Sequence, residues 1–118
     1  MAKAVGIGGI FFRASDPVAL AAWYAENFGL PEQWQTEAGM TVFAPFPAAS
    51  DYFPANRQFM INFRVDDLDG LIARLNAGGI AVETREEWDM PGVGRFARVV
   101  DPEGNHVELW EPEAPAAT

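Results

Sequence analysis

The chain repeats itself. Sliding the sequence by 51 positions lays Ile10 on Ile61, Phe12 on Phe63, Arg13 on Arg64, Asp16 on Asp67, Leu20 on Leu71 and Ala22 on Ala73. A repeat of this length confines the fold to two supersecondary units that cover each other's apolar faces. Both copies read as the same local structure. Residues 5–13 are rich in β-branched and aromatic types. In the second copy Phe59, Ile61, Phe63 and Val65 share one face, and Met60, Asn62 and Arg64 the other, the period of a strand. Each strand then meets an aspartate able to cap a helix, Asp16 ahead of Pro17 and Asp67 ahead of Leu68. The first helix is predicted to run to about Asn27, with Leu20, Tyr24 and Phe28 as its buried stripe and Gly29 at its end. The second starts near Asp67, buries Leu68, Leu71, Ile72 and Leu75, and stops at Gly78-Gly79.

Further strands are expected after each helix. After the second they are 80–88, 95–100 and 106–110, the last two joined by the turn Asp101-Pro102-Glu103-Gly104-Asn105. After the first they are a short one at 33–36 and a clear one at 40–46, with 45–54 read as loop because of its prolines. The order is strand–helix–strands twice over. That predicts one α+β domain, with helices on one face of an antiparallel sheet and the other face curved and open. Module one takes residues 5–56 and module two 57–112, and the Ala- and Pro-rich tail 113–118 is expected to fray.

Composition narrows the partners. The chain has 118 residues, 49% hydrophobic and 21% charged, enough for a real core. It contains no cysteine, which removes disulfides, thiolate metal sites and cysteine nucleophiles. A net charge of −9 repels phosphate backbones and anionic lipid, so neither nucleic acid nor membrane is an expected partner. The N-terminal Met1-Ala2-Lys3-Ala4 leads into a strand-like run rather than a signal peptide, and the expected compartment is the cytoplasm.

Three segments, DPVALAAWYAENFGL at 16–30, INFRVDDLD at 61–69 and DPEGNHVELWEP at 101–112, carry a resemblance to the vicinal oxygen chelate superfamily. This is the superfamily of glyoxalases, bleomycin-resistance proteins and extradiol dioxygenases. The resemblance spans 8–112. It implies two βαβββ modules forming a cupped mixed or antiparallel sheet with helices on the convex face, and a chain that pairs as a homodimer. In metal-using branches a divalent ion in the cup is held by two histidines and a glutamate. Carried over, those positions are Gly9, Met60 and Glu108, so only the glutamate is kept. Glycine offers no donor, and a thioether is a poor ligand for a hard cation. No cofactor is therefore expected, with a divalent metal left as the disfavoured alternative.

The candidate residues lie on the expected cup face. Glu108 alternates with Val107 and Leu109, and could act as a general base or as an acceptor for a ligand; a carboxylate paired with an arginine is the plainer reading. His106 shares its face, beside a turn where solvated histidines are common. Arg13 and Arg64 end the two opening strands and would suit an anionic ligand, or would clasp Asp16 and Asp67. Phe11, Thr41, Phe43, Met60, Asn62 and Trp110 are candidate lining by alternation. Trp34, Tyr52 and Phe53 lie in loop-like stretches suited to a lid or an interface edge.

Three functions stay open. One is a metal-independent small-molecule-binding protein of the bleomycin-resistance kind, its ligand a small organic molecule with anionic character. Another is a glyoxalase-type lyase or isomerase acting on a small oxygenated substrate, in which Glu108 is the lone base or a metal is held in an unfamiliar way. The last is a self-assembling or partner-binding domain whose cup is vestigial.

Overall fold

The computed structural model describes residues 2–113. Residues 114–118, most of the expected frayed tail, lie outside the described residues.

Helix α1 spans Pro17–Phe28. Asp16 caps it through Ala19 N at 3.0 Å, Pro17 sets its first turn, and Gly29 ends it in the left-handed region (φ 70°). Strand β1 is Ile61–Arg64, followed by helix α2 at Leu68–Ala77, capped by Asp67 on Gly70 N. Strands β2 (Gly94–Val100) and β3 (His106–Pro112) form a hairpin around the expected turn. The sheet order is β1-β3-β2, with β1 parallel to β3 and β2 antiparallel to it, so the sheet is mixed.

Alternation along the hairpin separates two faces. Ala97, Val99, Val107 and Leu109 are fully buried, and they pack against Leu20 and Tyr24 of α1 and Leu68 and Leu75 of α2. Burying each such leucine stabilises the fold by about 2–3 kcal/mol. Both helices therefore cover one face, as the repeat predicts. Asn62, Arg98, His106, Glu108 and Trp110 occupy register positions of the opposite face.

Among the described residues, the strands expected at 5–13, 33–36 and 40–46 are not paired. The stretch 80–88 gives one bridge, Glu83 with Arg98, and then a 3-10 turn at Glu86–Trp88. The physical reason is that alternation supplies a face but not a hydrogen-bonded neighbour. Among the described residues, the outer edge of β1 has no partner strand, and 5–13 is paired with nothing. Its apolar side chains stand in solvent, Phe11 at 94% exposure, as does Phe43 at 88% on the 40–46 stretch. No helix of the described residues is long and apolar enough to cross a membrane.

Candidate functional site

The centre of the open face is Glu108, on the middle strand. Val107 and Leu109 turn inward to the helices, which forces Glu108 outward onto the cup side. It is nevertheless only 9% exposed. Two side chains cover it and donate to it. Asn62 Nδ2, its register partner on β1, lies 2.7 Å from Oε1, and the Tyr52 hydroxyl lies 2.5 Å from Oε2. Both carboxylate oxygens are therefore engaged, and the negative charge is held by donors. Burial first, then the hydrogen bond to Glu108, pushes the Tyr52 phenol up to about 12 from its ordinary 10.0.

Arg98 is the register partner of Glu108 on β2 and is 8% exposed. Its guanidinium carbon lies 4.6 Å from the Tyr52 ring centroid and 5.0 Å from that of Trp88, which the 3-10 turn brings over the sheet. A guanidinium packed against two aromatic rings that also touch each other is held by their quadrupoles. Its Nε and Nη2 are buried without a hydrogen-bond partner. His106, two residues before Glu108, also keeps a buried, unpartnered Nδ1. Burial, and then the charge of Arg98, lower its pKa from 6.5. A groove of about 620 Å³ reaches Arg98 and His106, with Trp23 and Glu83 among its walls.

The remaining expected residues divide. Trp110 is buried, stacks parallel to Phe96 at 6.1 Å and donates its Nε1 to Val93 O at 2.9 Å, so its polar atom is used structurally. Met60 is half-buried just before β1. Arg64 Nη2 donates to Glu37 O at 2.9 Å. The Arg–Asp clasps are not formed among the described residues, because Asp16 and Asp67 use their carboxylates on helix N-caps. Phe11, Arg13, Thr41 and Phe43 stand exposed on the unpaired first half and make none of the hydrogen bonds around Glu108.

Sequence reading missed Arg98 and Trp88, and it took Tyr52 for a lid or interface residue. A signal for Arg98 existed. Counting back equally on both sides of the 101–105 turn pairs Arg98 with Glu108.

The donor set does not fit a resident metal ion. The positions expected to supply ligands hold Gly9 and Met60, and the oxygens of Glu108 are covered by an N–H and an O–H. No group of three His, Asp or Glu among the described residues could hold an ion. The buried guanidinium opposite Glu108 would repel a second cation.

The model of the glyoxalase-like domain family matches residues 9–110. No match is found among curated proteins. Among solved structures, the antibiotic binding protein TnmS3 from Streptomyces sp. CB03234 is 24% identical, with a TM-score of 0.61 over 95% of this chain and 100% of that one. The lactoylglutathione lyase from Agrobacterium tumefaciens is 28% identical, with a TM-score of 0.54 over 83% of this chain and 87% of that one. TioX from Micromonospora sp. ML1 is 20% identical, with a TM-score of 0.53 over 89% and 94%. The repeated pattern, the helix-backed mixed sheet and a family match running from module one into the last strand agree, and the chain belongs to the glyoxalase-like domain family of the vicinal oxygen chelate superfamily.

Proposed function

We propose that this domain binds a small organic molecule in the cup around Glu108, without a metal, and that it works as a homodimer. The observation that carries the reading is the environment of Glu108. A carboxylate with both oxygens on side-chain donors, opposite a buried arginine, is arranged to recognise polar groups rather than to ligate an ion. Similar folds serve an antibiotic-binding protein and a lyase, so the fold by itself does not choose between binding and catalysis. The donor set supports binding. For Glu108 to take a proton as a base, Tyr52 would first have to leave Oε2.

The homodimer rests on a separate observation. Phe11 and Phe43 belong to extended apolar stretches, and the outer edge of β1 lacks a partner among the described residues. Exposed strand edges of this kind are normally paired or covered. A second copy presents the same stretches and the same edge.

The metal claim is tested by metal content and thermal melting, with Ni²⁺, Zn²⁺, Mn²⁺ or Fe²⁺ added and then a chelator. The expected result is no stoichiometric metal and no melting shift that the chelator reverses. One tightly held ion per chain, with a reversible shift, would overturn it and bring the lyase reading forward.

A further inference from the structure

The centre of the cup is filled by one of the protein's own side chains. Tyr52 belongs to the 45–54 loop, where its neighbours hold it locally. Ser50 Oγ accepts from Tyr52 N at 3.2 Å, and Phe46 packs on Tyr52 and Phe53 at 5.7 and 5.6 Å. Among the described residues, no backbone hydrogen bond joins 46–53 to the sheet. The segment touches the cup chiefly through the Tyr52 side chain, on Glu108, Arg98 and Trp88.

Tyr52 satisfies only part of what surrounds it. Its single oxygen donates to Glu108 and also feels Arg98, while among the described residues two buried Arg98 nitrogens, Nε and Nη2, keep no acceptor. Buried guanidinium donors without acceptors are costly, and a binding site whose polar groups lack partners selects a ligand that supplies them. The required molecule has three features. A flat ring in the place of Tyr52 lies against Arg98 and Trp88, a hydroxyl donates to Glu108, and a second oxygen accepts from Arg98.

We propose that the ligand is a planar phenol bearing a nearby carbonyl or carboxylate oxygen, and that Tyr52 is its intramolecular stand-in, displaced when the ligand enters. This deepens the small-molecule reading of the cup and rests on it.

The test is calorimetric titration of the full chain with 3-hydroxy-2-naphthoate, 2-naphthoate and 2-naphthol. The first carries both oxygens, the second lacks the hydroxyl and the third lacks the acceptor. Wild type is expected to bind 3-hydroxy-2-naphthoate at least about tenfold more tightly than either of the others. Tyr52→Ala and the milder Tyr52→Phe are expected to tighten that binding several-fold, because a competitor is gone. Glu108→Gln is expected to weaken binding of the two hydroxylated probes, and Arg98→Lys that of the two carboxylates. Equal binding of 2-naphthoate and 3-hydroxy-2-naphthoate overturns phenol recognition and leaves the cup reading standing. Weaker binding by both Tyr52 variants makes Tyr52 a wall of the site and overturns the stand-in. Failure of all three probes on wild type and both Tyr52 variants overturns the proposal and counts against the cup reading as well.

Discussion

At the scale of single residues, the site is a set of donors converging on one carboxylate. Hydrogen bonds to a charged partner contribute more than neutral ones, about 1.5–3 kcal/mol each. Tyr52→Phe is therefore expected to destabilise the chain by about 1–2 kcal/mol in urea unfolding near neutral pH, after allowance for its partial exposure. The same group sets an alkaline dependence. Its pKa rises from 10.0 in the free side chain to about 12 in the fold, so between these values the unfolded chain loses the proton first. Stability is full below pH 10 and falls as pH climbs towards 12. The urea midpoint is expected to drop less steeply over that interval in Tyr52→Phe than in wild type, and equal slopes would remove Tyr52 from the linkage. Glu108, Asn62 and His106 were legible from the sequence because their strands alternate, and alternation is local. Arg98 was not singled out, because a strand arginine reads as solvated until its register opposite Glu108 is known. Tyr52 was legible as a loop aromatic only, since nothing within 45–54 shows that the loop folds back onto the sheet.

At the scale of elements, the β2–β3 hairpin organises the fold. Asp101 is 3% exposed and accepts from Glu103 N, Asn105 N, Asn105 Nδ2 and the Tyr24 hydroxyl at 2.6 Å. One side chain thus closes the turn and ties it to α1. Burial, and then the hydrogen bond to Asp101, push the Tyr24 phenol far above its ordinary range. Each helix start also receives a carboxylate from this hairpin region. Glu103 accepts from Ser15 N and Asp16 N, and Glu111 from Leu68 N at 2.8 Å. Asp101→Ala leaves buried donors without an acceptor and is expected to cost about 2–3 kcal/mol, read as a lowered urea midpoint, against about 1–2 kcal/mol for Tyr24→Phe. Gly94 opens β2 at φ 140°, where a Cβ would run into Glu111 O and Trp110 Nε1. Gly94→Ala is expected to cost about 2 kcal/mol or more by thermal melting. The helices and the hairpin turn were legible because caps and turn residues act within a few positions. The strands of module one were legible as extended apolar stretches, but their pairing was not. A neighbour strand is a non-local fact, and the described residues of this single chain do not supply one.

At the scale of the whole molecule, the two modules are unequal. Module two builds the sheet, while module one contributes a helix, the Tyr52 loop and long exposed apolar stretches. If a second copy covers those stretches, light scattering coupled to size exclusion gives the mass of two chains, and Phe11→Glu or Phe43→Glu moves the protein towards one. A wild type that stays monomeric at concentrations of about 100 μM would contradict the dimer. The claim on which the functional account rests is narrower. Glu108 accepts from Tyr52 and Asn62, and the proposed function takes it as a ligand acceptor rather than a metal ligand. The Asn62 side-chain amide, 2.7 Å from the carboxylate, reports on this directly in a nitrogen–proton NMR spectrum recorded while Mn²⁺ is added. The account predicts an Asn62 NH₂ signal that keeps its position and width at substoichiometric Mn²⁺. Selective broadening of that signal ahead of the exposed carboxylate regions would put a cation on Glu108 and contradict it.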